Sequence, residues 1–87
     1  PTTKPAIATK AKAGGALVVY ASWNGATQVT SWRVVGGATI SALKEVGWAA
    51  SHGFETQIPI AGPMPVIEAE ALNIHGQVIG TSAVIRF

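Results

Sequence analysis

The chain has 87 residues, 48% of them hydrophobic and only 11% charged, so it can bury one core and does not have the composition of a disordered segment. Cysteine is absent, which excludes a disulfide framework and any thiolate metal site. The formal charge of +2 comes from four Lys and two Arg against four Glu, with no Asp; neither Arg nor aromatic residues interleave with the N-terminal lysines as a nucleic-acid surface would need.

Residues 1–5, Pro1-Thr2-Thr3-Lys4-Pro5, read as a linker or arm ahead of a single domain over residues 6–87. With no initiating Met and no signal peptide, the chain reads as a mature product or a piece of a longer protein. Residues 6–13 predict an edge strand, kept from pairing with other chains by its Lys and Pro residues and closed by Gly14-Gly15. The most apolar stretch follows at residues 16–23, with Leu17, Val19, Ala21 and Trp23 on one face by period-two geometry, which predicts core. Its unbroken apolar run is far shorter than the roughly 18 to 20 residues of a membrane-spanning helix, so no membrane insertion is expected. Asn24-Gly25 marks a turn, and residues 28–35 predict a strand with Thr30, Trp32 and Val34 inward, stopped by Gly36-Gly37.

A helical reading competes with strand only over residues 39–46, because Ile40, Leu43 and Val46 recur every three residues after a potential cap. Gly47 and Gly53 then flank a short segment around Trp48. Residues 54–60 alternate, with Phe54, Thr56, Ile58 and Ile60 inward and Glu55 and Gln57 wet. Pro63 and Pro65 punctuate a loop. Residues 66–72 place Ile67, Ala69 and Ala71 on one face and Glu68 and Glu70 on the other, and after a turn at Gly76 residues 78–87 predict the last strand. Short strands ended by Gly, Pro or Asn predict an all-β fold: a seven-stranded antiparallel immunoglobulin-like β-sandwich.

Little in the chain suits catalysis. Without Cys and Asp, a nucleophile–base–orienter set would have to be built from Ser, Thr, His and Glu. His52 and Glu55 imitate a base and its orienter but fall in a Gly-flanked loop, and Glu68 and Glu70 lie side by side on a wet sheet face rather than across a cleft. Two His and four Glu without ligand spacing hold no metal, and neither glycine pair opens a phosphate loop. No catalytic, cofactor-binding or metal residues are therefore expected, and the chain is not expected to be an enzyme by itself. Trp23 and Trp32 are expected in the core. Tyr20, on the opposite face of its strand, and Trp48, between glycines, are the candidates for contact with a neighbour or a sugar ring.

The run Ile67-Glu68-Ala69-Glu70-Ala71-Leu72-Asn73-Ile74-His75-Gly76, followed by Gly80-Thr81-Ser82, resembles the end of a fibronectin type III or related immunoglobulin-like domain. Val19 to Trp23 is similar to that family's second strand, and Trp32-Arg33-Val34 to its third. Pro65 stands where the family commonly has the Tyr that opens the sixth strand, and no Arg-Gly-Asp triplet is present. Val19-Tyr20-Ala21-Ser22-Trp23-Asn24-Gly25-Ala26-Thr27, with Ser31-Trp32-Arg33-Val34 and Gly53-Phe54-Glu55-Thr56, resembles the C-terminal sandwich of secreted arylsulfotransferase-like proteins. This resemblance covers most of the chain. It implies a secreted or extracellular accessory domain, with sulfuryl transfer belonging to a separate β-propeller. The partner would be a neighbouring domain of the same chain or another copy of itself, and nucleic acid is not expected. The alternatives are a self-associating structural subunit of an extracellular assembly and a carbohydrate or surface binding module acting through Tyr20 or Trp48.

Overall fold

Alternation of apolar and polar residues becomes strand wherever it can be paired. The computed structural model describes residues 4–24, 26–62 and 64–87; the linker expected at residues 1–3, the Gly25 half of the expected turn and the loop position of Pro63 lie outside them. β1 (Ala6–Ala11), β2 (Leu17–Ser22) and β5 (Thr56–Ile60) form one antiparallel sheet in the order β1-β2-β5. β3 (Ser31–Gly37), β4 (Lys44–Ala50), β6 (Val66–Leu72) and β7 (Val78–Thr81) form the other in the order β4-β3-β6-β7, with β8 (Ile85–Arg86) also on β6. A one-turn 3-10 segment, Ala13–Gly15, joins β1 to β2 with Gly14 and Gly15 at φ +81° and +86°, a region open to glycine but not to side chains with a Cβ.

The register shows why these faces are buried. Leu17, Val19 and Ala21 of β2 stand opposite Ile60, Ile58 and Thr56 of β5. Trp32 and Val34 of β3 stand opposite Ala71 and Ala69 of β6. All but Thr56 belong to one hydrophobic core, to which both sheets contribute. Small residues let the sheets approach: a Cβ on Gly47 of β4 would lie 2.7 Å from the Ile60 Cγ2 and 3.1 Å from that of Ile58. The radius of gyration, 12.1 Å, matches the about 12 Å of a compact chain of this length. No helix among the described residues is long and apolar enough to cross a membrane.

Several expectations need correction. Among the described residues eight strands form, not seven, because the last predicted strand is broken after Thr81. From Glu70 to Ile67 is three residues, yet their partners Thr81 and Ile85 are four apart, so one extra residue is accommodated as a bulge. Ser82 makes the break possible: its N–H donates to the Ala69 carbonyl at 2.9 Å, and its Oγ accepts from the Ala69 N–H at 2.9 Å. A side chain thus replaces one main-chain acceptor. The hydroxyl in turn donates to the Ala83 carbonyl at 3.0 Å.

The stretch with helical spacing forms no helix. Ala42 N–H closes a turn onto the Thr39 carbonyl at 3.1 Å, and β4 starts at Lys44 because pairing with β3 supplies hydrogen bonds and places Val46 and Ala49 against the core. Trp48 therefore stands on a strand. Gly36 and Gly37 end β3 as members of it rather than stopping it short. Phe54 does not point inward: β5 begins two residues later, and Phe54 is 77% exposed. Thr30 precedes β3 and is exposed, whereas Trp32 and Val34 are buried as expected. Trp23 is half-buried, packed on the core with its ring over Gly80. Pro5, read as part of the linker, is buried beside Gly80.

Candidate functional site

The two aromatic candidates lie on different sheets. Tyr20 occupies the outer face of β2, between Ala8 of β1 and Gln57 of β5, and is partly buried. Trp48 occupies the outer face of β4, opposite Arg33 of β3, and is 55% exposed. They therefore cannot form one platform. Arg33 is also opposite Glu70, which in turn stands opposite Thr81, so Trp48, Arg33, Glu70 and Thr81 form one cross-strand row. Within it Arg33 Nε donates to Glu70 Oε1 at 2.7 Å, and Nη2 approaches the same oxygen at 2.6 Å.

The remaining polar candidates do not assemble. His52 is exposed and uses its main-chain N–H, which donates to Thr56 Oγ1 at 2.9 Å. Glu55 is exposed in the same connection, and Glu68 shares the outer face of β6 with the ion-paired Glu70. No group of three or more acidic or histidine side chains among the described residues is placed to hold a metal ion.

One end of the molecule brings together residues that sequence reasoning did not single out. Ser31 at the start of β3 faces Ala50 at the end of β4 and Leu72 at the end of β6, while Leu72 faces Val78 at the start of β7. The β2–β3, β4–β5 and β6–β7 connections therefore share this end. Thr30 ties them together: its N–H donates to the Leu72 carbonyl at 2.8 Å, and its own carbonyl accepts from Ser51 N–H at 3.0 Å.

The β6–β7 turn is built by Asn73. Its Oδ1 accepts from the N–H groups of His75 and Gln77 at 2.9 and 3.0 Å, and its Nδ2 donates to Gln77 Oε1 at 2.9 Å. Gly76, at φ +74°, completes the reversal. Ile74 is thereby held 80% exposed on a fixed turn. A groove of about 340 Å³ runs between this turn and the β2–β3 connection, lined by Thr27, Gln28, Thr30, Asn73, Ile74 and His75.

Among the described residues six large hydrophobic side chains are exposed. Phe54, Ile74 and Val78 belong to this end, and Trp48 lies two residues before β4 reaches it. Ile40 and Phe87 are at the other end, in the β3–β4 turn and beside Pro65. The sequence carried one signal for the cluster: an Ile between Asn73 and His75 in a turn has no core to enter. Phe54 carried none, because its spacing continues the inward face of β5. No family model, no curated protein and no solved structure matches the chain.

Proposed function

We propose that the chain is a non-catalytic interaction domain of a secreted protein, an immunoglobulin-like sandwich of the fibronectin type III kind, and that it takes a protein partner on its three-connection end. The observation that carries the reading is that Phe54 in the β4–β5 connection, Ile74 in the hydrogen-bonded β6–β7 turn and Val78 at the start of β7 are all exposed at one end. Exposed apolar side chains grouped on a fixed frame mark interaction surfaces, whereas scattered ones do not.

The strand arrangement supports the fold reading. In immunoglobulin-type sandwiches strands A, B and E share one sheet and C, F and G the other. Lettered in chain order, β1, β2 and β5 fall together, as do β3, β6 and β7, with β4 beside β3. The resemblance to the C-terminal sandwich of arylsulfotransferase-like proteins supplies the natural partner, a neighbouring domain of the same protein.

Edge pairing between copies is the less favoured alternative, because each sheet edge carries a feature that opposes it. β1 has Lys10 and is flanked by Pro5 and Lys12; β5 has Pro59. β4 has a register shift opposite Val34/Val35, and the fourth edge is split into strands of four and two residues.

The test is selection of displayed peptides on the immobilised chain, with Phe54→Ser/Ile74→Ser as the counter-target. Peptides that bind the wild type and lose most of their affinity for the double variant are expected. Peptides that bind both equally would contradict the assignment of the end. The isolated chain is expected to be inert toward an aryl sulfate donor with a phenol acceptor, and turnover would overturn the non-catalytic reading.

A further inference from the structure

We infer a second binding site, on the outer face of the β4-β3-β6-β7 sheet, for a neutral saccharide chain stacked on Trp48. The site is the row Trp48, Arg33, Glu70, Thr81, in which each residue faces the next across a strand pair. With neighbouring strands about 4.8 Å apart, the row runs roughly 14 Å across the sheet, long enough for several sugar rings laid end to end. It is separate from the three-connection end and does not depend on the partner assigned there.

Charge selects the class of ligand. Arg33 and Glu70 spend their charges on each other, and their side chains remain 33% and 20% exposed. Anions are disfavoured because Glu45 and Glu68 both face Val35 on the adjoining row of the same sheet. Cations are disfavoured because Arg33 stands directly between Trp48 and Glu70. What remains is a neutral ligand with apolar C–H faces for the indole and hydroxyl groups for the ion pair. The guanidinium has five N–H donors, of which the Nε–H donates to Glu70 Oε1 while Nη2 lies 2.6 Å from the same oxygen. Its remaining donors, the second carboxylate oxygen and the Thr81 hydroxyl suit hydroxyl partners, and an exposed indole is the usual stacking surface.

The experiment is titration of the purified chain with a neutral glucose or N-acetylglucosamine hexamer and with a sulfated oligosaccharide of equal length. Binding is followed by NMR at the Trp48 indole N–H, the Arg33 Nε–H and the Thr81 amide. Saturable shifts confined to this row are expected with a neutral hexamer, and weaker ones with the sulfated chain. Trp48→Ala should lower the affinity at least about tenfold, the loss of the row's one aromatic contact. Tyr20→Ala, on the other sheet, and Phe54→Ser/Ile74→Ser, at the three-connection end, should leave it unchanged. Trp48 is exposed, so the variant's amide spectrum will show that it folds. Absence of saturable shifts with both neutral chains, tighter binding of the sulfated chain, or affinity that survives Trp48→Ala would each overturn the assignment.

Discussion

Replacing Ser82 with Ala removes one oxygen and almost no volume, so it isolates the hydrogen bonds that let the last strand break. The hydroxyl accepts from Ala69 N–H at 2.9 Å and donates to the Ala83 carbonyl at 3.0 Å. Ser82 and Ala69 are both buried, at 2% and 0% exposure, so water does not stand in readily for the lost hydroxyl. In Ser82→Ala the Ala69 N–H is left without an acceptor, which costs about 1–3 kcal/mol. Domains of 60–100 residues lose about 4–8 °C of Tm per kcal/mol, so the midpoint should fall by roughly 4–24 °C. Against a total stability of about 4–13 kcal/mol for this length, the loss is large. Urea and thermal unfolding followed by tryptophan fluorescence measure it, and amide exchange at Ala69 should accelerate beyond the global change. A variant within about 0.5 kcal/mol of wild type, with Ala69 still protected, would refute the reasoning.

Gly47→Ala should destabilise by about 1–3 kcal/mol in the same unfolding assay, since its Cβ would lie 2.7 Å from the Ile60 Cγ2 in a packed core. Glu70→Gln should cost no more than about 1 kcal/mol, as expected of a partly exposed ion pair, and should reduce the salt dependence of stability between low-salt and high-salt urea titrations. Lys10→Val with Lys12→Val removes the charges that guard the β1 edge and should lower the concentration at which the chain aggregates, read by light scattering.

Strands were legible in the sequence where an inward apolar face recurs with period two, as in β2 with Leu17, Val19 and Ala21 or β6 with Ile67, Ala69 and Ala71. Periodicity misled at Phe54 and at Thr30, which continues the inward spacing of Trp32 and Val34 but precedes β3, and it left a helical reading open over residues 39–46. Phe54 continues the inward spacing of Thr56, Ile58 and Ile60, but its backbone lies before the first β2–β5 pair, Ala21 with Thr56, so nothing holds it in. Ile40, Leu43 and Val46 imitate a helical face, yet pairing with β3 outweighs a three-residue spacing that offers one weak turn. The break after Thr81 depends on a tertiary contact between Ser82 and Ala69 that local pattern does not encode.

The candidate surfaces were legible only in part. Trp48 stands out as an aromatic residue without a predicted core role, and it is exposed as that implies. That Arg33 and Glu70, 37 residues apart in the chain, pair in its row follows from the β3–β6 register alone. The convergence of Phe54 and Ile74 likewise arises from strand order, since their connections are brought to one end by pairing between segments distant in sequence.

The central claim, that the chain presents one end to a neighbouring domain while its edges stay closed, is tested most directly by sedimentation over a wide concentration range at moderate salt. The account predicts an 8.9 kDa monomer, or at most a weak dimer that Phe54→Ser/Ile74→Ser dissolves. Open-ended growth that persists in the double variant would contradict it, because assembly would then run through the sheet edges or outer faces and the chain would be a self-associating subunit.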